Sequence, residues 1–263
     1  MSDWNPTQYL RFVNERTRPV HDLISRIDTA EPKRILDIGC GPGNSTIALR
    51  DRWPAAKVIG LDSSKNMVEK ARQDCPEAEF LVRDASGDLS DLGTFDVVFA
   101  NASLQWMPDH EALIPRLFKL LGEEGIFAAQ LPQYDQMPMS KVVAELVSTP
   151  QWSPKLGDVR TGFSFHPDGF YYDLLSQLTD DIQMWATEYF HIMPGHSDII
   201  SMMESTALRP YTDHLEGEQI VDFKASVCKV LKTTYVAQQD GRVLFPFKRL
   251  FVVARHHACL DSR

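Results

Sequence analysis

The sequence predicts an α/β fold: a doubly wound, mostly parallel sheet of seven strands carrying a helical cap. Three observations carry that prediction. Between Lys33 and Leu131, short and almost continuously apolar runs alternate with segments long enough to be crossover helices. A glycine-rich turn follows the first of those runs. Beyond Leu131 the alternation stops, and two more strand-like runs are separated by helical periodicity.

The runs are residues 35–38, 58–61, 80–82, 95–100 and 126–131. Strands apolar at nearly every position suit a parallel sheet covered on both faces. Residues 45–52, 65–74 and 111–121 are the helices between them. Asp62, Ser63 and Ser64 offer caps for the second, and Gly122 and Gly125 offer a stop for the third. Residues 132–167, rich in Pro, Gly and polar side chains, read as irregular. A helix near 169–178, a strand over 182–192, helices over 196–207 and 215–232 and a last strand over 243–255 follow. In the longer helix Leu215, Ile220, Phe223, Val227, Val230 and Leu231 form one apolar stripe. The expected division is an N-terminal helical cap segment over 1–30, a cofactor-binding core over 31–132, and the rest of the sheet over 133–263 with a substrate-cap insertion at about 193–240. Both cap pieces are expected over the sheet's C-terminal edge. No internal repeat is present.

Composition narrows the function classes. With 43% hydrophobic and 24% charged residues, the chain is neither fibrous nor disordered in type. Its 36 acids against 27 bases give a net charge of −9, with no window of five like charges, so nucleic acid is not an expected partner. An anionic ligand would have to be held by local donors against that field. No run approaches the length of a membrane span, and Met1, Ser2, Asp3, Trp4, Asn5 and Pro6 do not form a basic leader; the reading is cytoplasmic, with no membrane partner. Cys40, Cys75, Cys228 and Cys259 lie far apart without a CxxC, as structural thiols of a reducing compartment do. His256, His257 and Cys259 sit on a tail after the last strand, a poor metal scaffold, and no metal is expected.

The chemistry is concentrated in Asp37-Ile38-Gly39-Cys40-Gly41-Pro42-Gly43-Asn44-Ser45, between the first strand and the first helix. Glycines at alternate positions let backbone turn tightly and approach a ligand beside a helix N-terminus. A dinucleotide loop wants glycine in the sixth place, where this chain has Asn44, so a nicotinamide cofactor is disfavoured. Asp62 ends the second strand, where a carboxylate can accept both ribose hydroxyls; Asp84 follows the third strand and Asn101 the fourth. As alternatives, Asp37 can bond loop groups, Asp62 and Asp84 can serve as caps, and Trp106 can fill core.

This constellation resembles the S-adenosylmethionine-dependent methyltransferases, whose loop has the D-x-G-x-G-x-G form of residues 37–43. The resemblance implies the Rossmann-like methyltransferase fold and S-adenosyl-L-methionine as cofactor, with S-adenosyl-L-homocysteine as product. Asp37, Gly39, Gly41 and Gly43 would form its loop, Asp62 would hold the ribose, Asp84 with Ala85 the adenine, and Asn101 the methionine portion. Further stretches resemble the trans-aconitate methyltransferase family nearly end to end: Trp4-Asn5-Pro6, Glu15-Arg16-Thr17-Arg18-Pro19, Arg52-Trp53-Pro54, Asn101-Ala102-Ser103-Leu104-Gln105-Trp106 and Leu208-Arg209-Pro210. They match least across 133–165. Membership would imply methylation of one carboxylate of that small polycarboxylate to a monomethyl ester.

A carboxylic acid of pKa about 4 is ionised at neutral pH, so no catalytic base is expected, and Ser45, Asp109 and His110 are not read as a triad. Spectator carboxylates call for guanidinium clamps, and Arg16, Arg18, Arg209 and Arg249 are the candidates, with His191 as a further donor. Trp106, with Trp4 and Tyr9, would wall the sulfonium and exclude water. Two other readings stand beside this one: methylation of oxygen, nitrogen or carbon on another small metabolite, and a cofactor-binding regulatory module without turnover. The chain is expected as a monomer or weak homo-oligomer.

Overall fold

The five early apolar runs become the parallel part of one seven-stranded sheet. The structure is a computed structural model that describes residues 13–257. Strands β1 (Arg34–Ile38), β2 (Lys57–Asp62), β3 (Glu79–Val82), β4 (Phe95–Asn101) and β5 (Leu121–Pro132) run parallel, while β6 (Ile182–Met193) and β7 (Val243–Arg255) complete the order β3-β2-β1-β4-β5-β7-β6. β7 is antiparallel to both of its neighbours.

Four helices flank the parallel half: α1 (Val13–Ile24), α2 (Asn44–Arg52), α3 (Lys65–Asp74) and α4 (His110–Phe118). On one face Leu36, Ile38, Leu61 and Val98 pack against Leu113 and Leu117 of α4. On the other, Ile35, Val58, Val97 and Phe99 meet Val20 and Leu23 of α1 and Leu49 of α2. Successive strand residues thus enter opposite cores, which is why the runs carry little polar alternation. Ser64 caps α3, its Oγ accepting the Met67 N–H.

The remaining helices are α5 (Pro138–Val147), α6 (Ser153–Leu156), α7 (Asp168–Leu175), α8 (His196–Glu204), α9 (Arg209–Thr212) and α10 (Glu218–Thr234). Phe223, Val227 and Leu231 of α10 join Met139 and Val143 of α5, Ile199 and Met203 of α8, and Phe245 of β7 in a separate cap core. Burying each such side chain contributes about 1.5–3 kcal/mol.

Three expectations change. Helix α5 emerges from a stretch read as irregular, because Met139, Val142, Val143 and Val147 keep a helical stripe despite the surrounding prolines. Gly122 and Gly125 do not stop α4, which ends at Phe118; they lie in β5 where its register against β4 shifts. Helix α1 lies on the sheet's face rather than over its C-terminal edge, since Val20, Leu23 and Ile24 bury there.

Candidate functional site

Strands β1 and β4 are neighbours, but the chain leaves them for opposite halves of the sheet, β1 towards β2 and β4 towards β5. Such a reversal opens a crevice at the strands' carboxyl ends. The glycine loop fills one side. Gly39 has φ +65°, and a Cβ there would lie 2.4 Å from the Ser103 Cβ, so only glycine allows the two loops to touch. Ser103 fixes the contact by donating to the Ile38 carbonyl at 2.7 Å. Gly41 has φ +54° and open space where its Cβ would stand. Gly43 instead abuts Ala71 of α3.

Two acids hold this loop. Asp37 is fully buried, and its Oδ2 accepts the hydroxyls of Ser45 at 2.7 Å and Thr46 at 2.6 Å. Burial pushes its carboxyl up to about 6, the two hydroxyls opposing that shift. Asp62 accepts the Gly41 N–H at 2.9 Å and the Ser64 N–H at 2.8 Å, one on each oxygen. Both bonds hold the Asp62 carboxylate at the end of β2, where it lines the crevice.

The crevice is a cleft of about 420 Å³. Gly39, Gly41, Asp62, Asp84, Ala85, Ser103 and Trp106 line its sheet side; Arg160, Thr161, Gly162, Arg209 and His214 close the other. A smaller chamber of about 80 Å³ adjoins it, walled by Asn101, Gln105, Tyr134, Phe163, Phe165, Phe247 and Arg249. Ala102 and Trp106 line both cavities. Ala102 sits at φ +50°, an uncommon conformation for a residue with a Cβ, and its N–H donates to the Gln130 carbonyl at 2.9 Å. The Trp106 ring leans on Phe163 with centroids 4.5 Å apart. His110 supports the turn that carries Gln105 and Trp106: its Nε2 lies 2.9 Å from the Leu104 carbonyl and its Nδ1 3.0 Å from the Tyr171 hydroxyl. Burial pushes its pKa down and keeps the ring neutral, so Nε2 donates and Nδ1 accepts.

The clamp candidates separate. Arg249 reaches the smaller chamber from β7, only 5% exposed, with Nη1 donating to the Gln130 Oε1 at 3.1 Å and the guanidinium 4.5 Å from the Phe247 ring centroid. His191 lies behind that wall, its ring against Phe245 and Phe247. Arg209 lines the larger cleft and faces Asp213 at 3.8 Å. Arg18 lies 5.2 Å over the Tyr189 ring and lines neither cavity. The Arg16 side chain, Trp4 and Tyr9 fall outside the described residues. Asn101 lines the smaller chamber rather than the larger, and its Oδ1 has no partner among the described residues. Asp84 is exposed at the larger cleft's rim, where it accepts the Ser86 N–H at 2.8 Å. Asp37 and Gly43 support the loop from behind and line neither cavity.

Sequence reasoning missed Gln105, Gln130, Tyr134, Phe163 and Phe165. A signal existed for Gln130, the one polar side chain inside the run 126–131. Among the described residues no group of His, Cys, Asp and Glu side chains can hold a metal ion, and no helix is long and apolar enough to cross a membrane.

Residues 35–125 match a family model described as a methyltransferase domain. In solved structures the fold is similar to the YcgJ protein of Bacillus subtilis, with TM-score 0.59 and 15% identity over 92% of this chain and 99% of that one. It is also similar to a Haemonchus contortus phosphoethanolamine N-methyltransferase in complex with S-adenosyl-L-methionine, with TM-score 0.58 and 16% identity over 96% of this chain and 57% of that one. Much nearer relatives are proteins named trans-aconitate 2-methyltransferase: 39% identity to that of Methylobacterium radiotolerans over 97% of this chain and 99% of the relative, and 39% to that of Paracidovorax citrulli over 98% and 100%. The protein of that name from Escherichia coli O157:H7 is 39% identical over 97% of this chain and 99% of its own. At such identity over almost the full length of both partners, the chain belongs to the trans-aconitate 2-methyltransferase family.

Proposed function

We propose that this chain binds S-adenosylmethionine in the larger cleft and methylates a carboxylate of trans-aconitate seated in the smaller chamber. The observation that carries the reading is a buried guanidinium, Arg249, in a chamber that shares the wall of Ala102 and Trp106 with the glycine-loop cleft. The cleft suits the cofactor: Gly41 leaves open space and Asp62 presents a carboxylate there. When bound, S-adenosylmethionine supplies an electrophilic methyl group; the acceptor oxygen forms the new C–O bond, the C–S bond breaks with its electron pair left on sulfur, and a monomethyl ester and S-adenosylhomocysteine result.

The chain's own contribution is positioning and dryness. The acceptor arrives ionised, so no side chain need remove a proton. Arg249 holds a spectator carboxylate, leaving the reacting one free of heavy pairing. Trp106, Phe163 and Phe165 keep water from a reaction in which a carboxylate and a sulfonium become a neutral ester and a neutral thioether. A guanidinium in the chamber also disfavours a cationic amine as acceptor. The free thiols Cys40, Cys75 and Cys228 support a cytosolic setting.

The test is transfer of labelled methyl from S-adenosylmethionine to trans-aconitate, followed by alkaline release of methanol, which esters give and N- or C-methyl products do not. Arg249→Met should raise KM for trans-aconitate at least about tenfold while cofactor Kd stays within twofold. No alkali-labile product, or an unchanged KM in the variant, refutes the assignment.

A further inference from the structure

Ala102 and Trp106 line both cavities, and Gln105 is joined to each of them. It precedes Trp106 in the turn Leu104–Trp106, and its Nε2 donates to the Ala102 carbonyl at 2.8 Å. The residue is only 5% exposed and lines the smaller chamber but not the larger cleft. The Ser164 N–H donates to its backbone carbonyl at 2.9 Å, so main chain and side chain are both held. The bond to Ala102 also assigns the amide, because the end that donates to a carbonyl is nitrogen and the other end is oxygen. That oxygen, Oε1, is buried and has no partner among the described residues.

A buried oxygen fixed in place calls for a donating or positive group. The methyl acceptor does not supply one: ionised trans-aconitate has no N–H or O–H to give, and a carbonyl oxygen repels its negative charge. The cofactor does. For transfer to occur, its methyl group must pass the wall of Ala102 and Trp106 into the chamber where Gln105 stands. Hydrogens on a carbon bound to positive sulfur are polarised, and an amide oxygen accepts them as weak hydrogen bonds.

We propose that Gln105 is the sulfonium-sensing residue of the site: its Oε1 takes the methyl hydrogens of S-adenosylmethionine, orients that group towards the acceptor, and distinguishes the charged cofactor from its neutral product. This rests on the proposed function in one respect, that the cofactor occupies the larger cleft with its methyl group at the shared wall. After transfer the thioether offers neither charge nor donor, the oxygen is left without a partner again, and departure of the product is favoured.

The test compares three ligands by calorimetry in the absence of acceptor, so no turnover enters. Wild type should bind S-adenosylmethionine at least about threefold more tightly than S-adenosylhomocysteine. Sinefungin, which carries a protonated amine where the sulfonium stands, should bind at least about tenfold more tightly than S-adenosylhomocysteine, since its N–H groups make a charge-assisted bond to the same oxygen. Gln105→Met keeps the volume and removes the oxygen, and in it both preferences should fall to within twofold. If the side chain only braces the Ala102 turn, or takes the ammonium that all three ligands share, the variant weakens them alike and the ratios hold, which overturns the proposal. The wild-type arm stands without any variant: equal affinities for the three ligands overturn the role of Gln105 and leave the proposed function in place. If wild type binds neither S-adenosylmethionine nor S-adenosylhomocysteine, the proposed function fails, and this inference with it.

Discussion

Gly39 and Gly41 both lie at positive φ, but they do different work, and alanine separates them. At Gly41 a Cβ meets open space, so Gly41→Ala costs only the left-handed backbone, about 1–2 kcal/mol, while placing a methyl group in the cleft. At Gly39 the same methyl would also collide with Ser103, and the cost should exceed about 3 kcal/mol. Urea unfolding should therefore rank Gly39→Ala well below Gly41→Ala, while calorimetry with S-adenosylhomocysteine should find Gly41→Ala weakened by more than its stability loss explains. Equal unfolding midpoints would contradict the close contact between the two loops. Asp37 gives a residue-scale dependence on pH. Its folded carboxyl titrates at about 6 against 3.8 ordinarily, so at pH 5 the folded chain holds a proton that the unfolded chain has largely released. That advantage is lost as pH rises through 6, a contribution of about 1 kcal/mol between pH 5 and 7.5. Asp37→Asn removes the titration, so the stability gap between wild type and variant should narrow over that interval; a gap constant with pH would mean that Asp37 is ionised throughout.

At the scale of elements, the segment between α6 and α7 serves two cavities at once. Arg160, Thr161 and Gly162 close the larger cleft, Phe163 and Phe165 the smaller chamber, and the Ser164 N–H is tied to the Gln105 carbonyl at 2.9 Å. A ligand in the larger cleft should thus hold the whole segment. Tryptic cleavage after the exposed Arg160 is expected to slow at least about fivefold with saturating S-adenosylhomocysteine, as mass spectrometry of timed digests would record; equal rates with and without ligand would detach the segment from the site. None of this could be read from residues 132–167, whose prolines hid both α5 and the aromatic pair. The parallel strands were legible because each must be apolar on both faces, and the loop at 37–43 because its glycines have a chemical use. Gln130 was only half legible. A lone polar side chain in an apolar run announces that it needs a partner, but which partner depends on the β5 to β7 pairing, which joins residues more than a hundred positions apart.

For the molecule as a whole, β7 ties the cap core to both faces of the sheet. Its first half gives Val243, Phe245 and Phe247 to the cap cluster; its second half gives Leu250, Val252 and Ala254 to one side of the sheet and Phe251 and Val253 to the other. Neither core keeps its packing if this strand leaves, so cap and sheet should unfold together. Trp152 is buried in the cap and Trp53 against the sheet, and two variants with the other four of the five tryptophans replaced by Phe, one keeping only Trp152 and one only Trp53, let fluorescence follow each region separately. One coincident urea transition is expected from both. Two separated midpoints would show the cap melting alone. Arg249 lies where the strand passes from one core to the other, mounted on a hydrogen-bonded ladder rather than on a surface segment. Its position is inherited from the scaffold, as is that of Phe247 beside it, whereas Tyr134, Phe163 and Phe165 come from connecting segments, which tolerate replacement better. If Arg249 holds the acceptor as proposed, evolution can exchange those walls to admit acids with differently shaped bodies while the same guanidinium still grips each of them.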